Sequence, residues 1–311
     1  MSIIAIDFGG TKTRVAWFDD HLTMVARGEI LSKIENTQEE VINDIINLAK
    51  RTIPEEAQPR AIGISAPGPL DISNGVILHA LTLPNWSEVP LAQIISDAFH
   101  TPVCMNNDAN LGALAEATMG AGRNANPVIY LTISTGIGGG MVLNRNIYTG
   151  WKDLALEPGH MLVHDETGTL RRLEDLASGT ALGRIARERI IQTNSFTSLR
   201  SQEFIDGRTV GQAARDGDSL ALKIVRDAGH YLGIGLVNLI HLFNPEAIVI
   251  GGSVALNQWE ILVSEATNVI NEHILSDRFL HERLIRPALL QDDVCLYGAA
   301  LYARQQLHHA R

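Results

Sequence analysis

Cysteine is scarce in this chain: Cys104 and Cys295 are the two in 311 residues. They lack metal-ligand spacing, and a lone pair is a weak basis for a disulfide, so a reducing, cytoplasmic setting is expected. A basic cluster is missing too. Lys and Arg number 25 against 35 Asp and Glu, a formal charge of −10, which repels a nucleic-acid backbone or an anionic membrane and directs attention to a small-molecule partner. No apolar run reaches the ~20 residues of a membrane span. The charge-free stretches at 128–144 and 231–245 are glycine-rich or too short. Asp7 interrupts the first apolar run and no basic region precedes it, so no signal peptide is expected. There is no GxxxxGK[ST] and no GxGxxG after a strand, which disfavours a P-loop NTPase and an NAD-dependent dehydrogenase.

What is present is globular: 45% hydrophobic and 19% charged residues, at a length suggesting two domains. The chain opens on Ile4-Ala5-Ile6-Asp7-Phe8, a Gly9-Gly10 pair, and a second apolar run after Thr11-Lys12. Gly-Gly between β-prone segments predicts a hairpin. Asp7, Thr11 and Lys12 add a carboxylate, a hydroxyl and a cation, the parts of a phosphate and magnesium site. A plain turn and a nucleotide loop both remain open here. The first part then reads helix, strand, helix, strand, helix: Asn36 to Glu39 resembles a capping box, Val41, Ile45, Leu48 and Thr52 repeat at helical spacing, and residues 60–65 and 102–106 are short strands.

The opening design recurs. Val128 to Ile133, a glycine-rich turn from Ser134 to Gly140, and Met141 to Leu143 form a second hairpin, and two such hairpins suggest an internally duplicated fold that clamps one ligand. Helices dominate after Arg171. One is expected from Asp218 to Phe243, ending before Asn244-Pro245. Ala247 to Ile250 reads as a buried strand ending at Gly251-Gly252, where a ligand could approach backbone. Asn107-Asp108 opens a helix at a strand end: as residue types they are preferred N-caps, and a carboxylate there is also placed to serve as a general base. Glu157 and His160, three apart, could face one pocket.

Taken together, Asp7-Phe8-Gly9-Gly10-Thr11-Lys12, Pro67-Gly68-Pro69-Leu70-Asp71, Asn107-Asp108-Ala109-Asn110, Thr135-Gly136-Ile137-Gly138-Gly139-Gly140, Glu157-Pro158-Gly159-His160 and Ile250-Gly251-Gly252 resemble, in order, the ROK family of bacterial sugar kinases and sugar-responsive repressors. The resemblance implies an α/β fold of two actin/hexokinase-like (ribonuclease H-like) domains with a nucleotide and sugar cleft between them: residues 1–106, residues 107–297, and a C-terminal helix, about 298–311, packed back on the first. It implies a phosphate loop at Gly9, Gly10, Thr11 and Lys12, a second at Thr135 and Gly136, adenosine near Gly251 and Gly252, and Mg²⁺ held by Asp7 through water. Asp108 would be the base, with Asn107, Gly68, Glu157, His160 and Glu174 around the sugar.

The expected activity is ATP-dependent phosphorylation of a hexose, glucose first, with fructose, mannose and N-acetylhexosamines as alternatives. A homodimer is a family expectation. Many members carry a CxCGxxGC segment that binds structural zinc between the histidine and the later glutamate. Residues 161–173 contain no cysteine, so zinc is not expected. The repressors carry an added N-terminal helix-turn-helix domain, for which a hairpin starting at residue 4 leaves no room. A non-catalytic sugar sensor and an actin-like or chaperone-like ATPase are the competing classes, and Glu157, His160 and Glu174 argue against the ATPase.

Overall fold

The computed structural model describes residues 2–55, 57–79, 83 and 86–309. In chain order the elements begin β1 (Ile3–Phe8), β2 (Lys12–Phe18), β3 (Met24–Leu31), α1 (Gln38–Thr52), β4 (Ala61–Ala66), β5 (Leu70–Asp71), β6 (Val76–His79), β7 (Ser87–Val89), α2 (Leu91–Phe99), β8 (Val103–Asn107) and α3 (Asp108–Thr118). They continue β9 (Val128–Ile133), β10 (Ile137–Leu143), β11 (Asn146–Ile147), β12 (Leu162–His164), β13 (Leu170–Arg172), α4 (Glu174–Ala177), α5 (Gly179–Gln192), α6 (Gly207–Arg215) and α7 (Ser219–Phe243). The last are β14 (Ala247–Gly251), α8 (Ser253–Asn257), α9 (Trp259–His273), β15 (Ile285–Pro287) and α10 (Val294–His309). Among the described residues, no helix is long and apolar enough to cross a membrane.

The chain divides into two compact units, Met1–Gly120 with Arg145–Ala155 and Asp292–Arg311, and Ala121–Asn144 with Leu156–Gln291. The first unit thus runs on past residue 106 to Gly120. The helix α3 belongs to the first unit because it packs on α10 and on β4 and β8. Of the expected C-terminal helix, residues 310–311 lie outside the described residues.

In the first unit the sheet order is β3-β2-β1-β4-β8. β1 and β2 form the antiparallel hairpin, and β1, β4 and β8 run parallel. Every residue of β1 is buried, as expected of a strand covered on both faces. Ile4, Ile6, Phe8, Ile62 and Ile64 pack with Val41 and Ile45 of α1 and with Trp86. On the other face, α10 approaches so closely that a Cβ on Gly63 would lie 2.0 Å from the carbonyl oxygen of Ala299. The glycine is what admits the helix. The capping box is Thr37 with Glu40, one residue later than the pattern suggested, because Thr37 is the residue with extended backbone whose hydroxyl accepts the Glu40 N–H.

The second unit repeats this design. Its strands run β10-β9-β14-β15, an antiparallel hairpin followed by two parallel strands, just as β2-β1-β4-β8 does. α7, capped by Asp218 and ended at Asn244, packs with α9, α6 and α5. The glycines 138–140, expected in the turn, are strand residues paired with Thr132, Leu131 and Tyr130. A Cβ on Gly139 would lie 2.6 Å from the Pro158 ring, so bareness there serves packing and not turning.

Candidate functional site

In the first unit the functional candidates gather where parallel strands end, the edge at which α/β sheets bind ligands. Strand register puts Asp7 of β1 beside Ser65 of β4, and Ser65 beside Asn106 of β8. The turn between β1 and β2 closes through the Gly9 N–H to the Lys12 carbonyl at 3.1 Å. Ser32 pins it from β3's end: its hydroxyl donates to the Gly9 carbonyl at 2.6 Å and its N–H to the Thr11 carbonyl at 3.0 Å, while Thr13 lies 3.0 Å from the same hydroxyl. Thr11 and Lys12 are exposed at the tip.

Asp7 is buried and meets Arg14, directly opposite on β2, at 3.0 Å. Burial pushes its carboxyl up, and the Arg14 guanidinium offsets part of that rise. Lys12, Arg14 and Arg27 converge on Glu29 at 2.5, 3.2 and 3.2 Å, which holds the Glu29 carboxyl at about 2, chiefly through Lys12. Arg27 also reaches Asp293 at 2.8 Å. Sequence reading missed Arg14 and Ser32. A hairpin register centred on Gly10-Thr11 would have found Arg14, since it places that residue opposite Asp7; Ser32 has no local signal, because it arrives from the third strand.

Asn107 is the N-cap of α3: its side-chain oxygen accepts the Asn110 N–H at 2.8 Å. Asp108 follows at the first helical position, exposed, with one carboxylate oxygen accepting the Ala109 N–H at 2.8 Å. The cap role thus belongs to Asn107. Gly68 lies in the turn after β4, and a Cβ on it would come 3.8 Å from the Asn107 amide nitrogen. The buried Asn106 oxygen takes the Asn107 N–H at 2.8 Å and the Asn110 amide at 3.1 Å, so three asparagines brace the strand-to-helix corner. Cys295 of α10 packs beneath it, 3.7 Å from the Asp108 carbonyl, its thiol pushed well up by burial.

In the second unit the turn Ser134-Thr135-Gly136 closes at 3.0 Å and is held by the start of α5, where Gly179 N–H meets the Ser134 carbonyl at 2.7 Å and Thr180 N–H the Thr135 carbonyl at 3.2 Å. A Cβ on Gly136 would lie 3.3 Å from the Glu174 carboxylate, so this turn and Glu174 are neighbours. Glu157 and His160 flank a single helical turn, closed by His160 N–H to the Glu157 carbonyl at 3.1 Å. Gly159 lets that turn lie flat on β10: a Cβ there would sit 2.3 Å from the Ile137 carbonyl. Burial pushes the Glu157 carboxyl up; His160 offsets this and the Glu174 charge adds to it.

Arg172, also missed in the sequence, reaches Glu174 at 3.2 Å and Asp175 at 2.9 Å. Gly251 pairs with Thr132 beside the second turn's strand, and Gly252 turns with φ 88° against the Ile133 backbone. Among the described residues, no group of three or more His, Cys, Asp or Glu side chains is gathered as a metal site. For Mg²⁺ the donor chemistry of Asp7 is suitable: a buried carboxylate with one oxygen on Arg14 fits an ion that keeps its waters and takes one or two carboxylates alongside phosphates.

The ROK family model matches residues 3–306. A glucokinase of Thermotoga maritima is 31% identical over 99% of this chain and 98% of its own length. A xylose repressor of Caldicellulosiruptor bescii is 27% identical over 96% of this chain and 76% of its own. Among solved structures, the ROK hexokinase of Thermus thermophilus aligns with a TM-score of 0.82 and 32% identity over 99% of this chain and all (100%) of that one. A ROK glucokinase of Streptomyces griseus, solved with glucose and AMPPNP, aligns with a TM-score of 0.81 and 29% identity over 98% of this chain and 100% of that one. With its two α/β units of actin/hexokinase type, the chain belongs to the ROK family.

Proposed function

We propose that the chain is an ATP-dependent hexose kinase, with glucose the first candidate substrate and Asp108 the general base. The observation that carries this reading is the division of labour at the head of α3. Asn107 supplies the cap, so the exposed Asp108 carboxylate beside it is not required for capping. In the proposed step the sugar hydroxyl oxygen bonds to the γ-phosphorus as the bond to the β-phosphate oxygen breaks. ADP leaves, and the hydroxyl proton passes to Asp108. Gly9, Gly10, Thr11, Lys12, Thr135 and Gly136 are assigned to the phosphates, where backbone N–H groups and hydroxyls can donate, and Gly251 and Gly252 to the adenosine. Asp7 would hold Mg²⁺ through water. The ion would neutralise charge on the β- and γ-phosphates.

Asn107, Gly68, Glu157, His160 and Glu174 are assigned to the sugar. Carboxylates that accept from vicinal hydroxyls select a polyol, because an acceptor left unpaired in a closed site is costly. The test is ADP release with Mg-ATP across glucose, fructose, mannose, N-acetylglucosamine and N-acetylmannosamine. Sugar-dependent turnover is expected, with glucose preferred. ATP binding with silence on every sugar would instead favour a non-catalytic sugar sensor, the second reading prompted by the repressor relative.

The raised Glu157 carboxyl gives a pH prediction. Its ionised form is the acceptor, so the KM for sugar should climb as pH falls through a midpoint above the ordinary carboxylate value of about 4.3. Glu157→Gln should flatten that limb while raising KM at neutral pH. A folded-state value raised above the unfolded one contributes stability at low pH and loses it as pH rises through the folded value, so this group does not itself unfold the protein in acid. An acid limb unchanged in Glu157→Gln would remove the assignment.

A further inference from the structure

We infer that the β12–β13 hairpin is the positioning element for the sugar-reading side chains, with Asp165 as the pin that sets its shape. This rests on the assignment of His160 and Glu174 to the sugar. The hairpin departs two residues after His160 and returns two residues before Glu174, so its register fixes the backbone positions from which both side chains start. The ladder pairs Leu162 with Arg172, Val163 with Arg171 and His164 with Leu170, and the Leu173 N–H to the Met161 carbonyl at 2.8 Å extends it to the base. A slip of one residue would turn every side chain to the opposite face.

The tip is where such a slip is prevented. One Asp165 oxygen accepts the Thr167 N–H at 2.9 Å, the Thr167 hydroxyl at 2.6 Å and the Thr169 N–H at 3.0 Å, and the other meets Arg171 at 3.3 Å. The Asp165 N–H to the Thr169 carbonyl and the Gly168 N–H to the Asp165 carbonyl, both 2.9 Å, complete the turn. These donors, Thr167 foremost, hold its carboxyl at about 2, so the pin stays ionised wherever the enzyme works.

Two anchors carry that shape to the site. The Tyr231 hydroxyl of α7 accepts the Glu166 N–H at 3.0 Å. At the base, Met161 and Leu173 pack over Gly235 of α7, where a Cβ would come 3.0 Å from Met161 Cε and 2.8 Å from Leu173 Cδ2. From the end of β13, Arg172 reaches Glu174 Oε1 at 3.2 Å. Hairpin register therefore also decides which oxygen of Glu174 is held, leaving Oε2 on the Gly136 side. Short cross-strand pairs alone hold a three-residue ladder weakly, which is why the pinned tip matters.

The test is steady-state kinetics of the full chain with the sugar found active, comparing Asp165→Ala, Asp165→Asn and Gly235→Ala. Asp165→Ala should raise the sugar KM about tenfold with kcat changed less than about threefold and the KM for ATP unchanged, the mark of lost substrate positioning. Asp165→Asn keeps the oxygen that caps the turn and should recover most of the affinity. Gly235→Ala favours the helix and pushes only flexible side-chain ends, so it should fold and still raise the sugar KM, which keeps the inference testable if Asp165→Ala does not fold. Faster amide exchange at Leu173 in Asp165→Ala would accompany the loss. Wild-type sugar KM in both Asp165→Ala and Gly235→Ala overturns the inference while leaving the kinase reading intact. A wild-type protein without sugar-dependent turnover overturns the kinase reading itself; sugar affinity by calorimetry, lowered or not in the same variants, then decides the hairpin's role.

Discussion

Asp108→Asn should lower kcat by about 10²- to 10⁴-fold, the usual worth of a positioned general base, while sugar and ATP still bind. The fold should hardly notice. Asn107 keeps the cap hydrogen bond to Asn110, and the amide oxygen introduced by the substitution can accept the Ala109 N–H as the Asp108 carboxylate does. What is lost is a negative charge in the first helical turn, about 0.3–1 kcal/mol. Asn107→Ala is the complementary control, since losing the cap should cost about 1 kcal/mol of stability in addition to any loss of sugar affinity. Single-turnover transfer of the γ-phosphoryl group, measured beside sugar affinity by calorimetry, separates the two. An Asp108→Asn protein within about threefold of wild-type kcat would show that no proton acceptor is needed at this position.

Gly252→Ala is expected to be the most damaging single methyl group at the end of β14. Gly252 sits at φ 88° and ψ 151°, a region open almost only to glycine, and the added Cβ would lie 2.4 to 2.6 Å from the backbone O, N and C of Ile133. Backbone atoms cannot rotate away as a side chain can. Strain and overlap together should cost about 2–4 kcal/mol, read as a lower denaturant midpoint at constant slope, with weaker ATP binding by the folded protein. Gly217→Ala is the matched control: it has the same φ of 88° and nothing within 4 Å of its Cβ position. Equal losses in the two variants would mean that backbone conformation alone, and not the approach to Ile133, explains the glycine.

Much of this was legible in the chain. The two glycine-turn hairpins, the helix from residue 219 to 243 and the buried strand at 247–251 are local features, written by hydrophobic period and by glycine and proline placement, and the structure contains each. The order of the motifs pointed to the family because each motif needs only a few adjacent residues. Elements without strong local signals were not read: β3, whose residues alternate between half-buried and exposed, and the short strands β5 to β7. The extent of the first unit was not legible for a related reason. α3 follows β8 directly, and only the packing of α10 against it, from the far end of the chain, assigns it to the first unit.

The sequence by itself determined which chemical groups are present and which turns carry bare glycine backbone, since those depend on residue type and nearest neighbours. Tertiary structure decided how each group is used. That Arg14 faces Asp7 follows from strand register; that Asn107 takes the cap and leaves Asp108 exposed follows from where β8 ends; that Glu174 lies beside Gly136 and Arg172 follows from a hairpin whose shape is set at Asp165. Burial, pairing and distance between residues remote in sequence are properties of the packed chain, and charge state and hydrogen-bond role depend on all three.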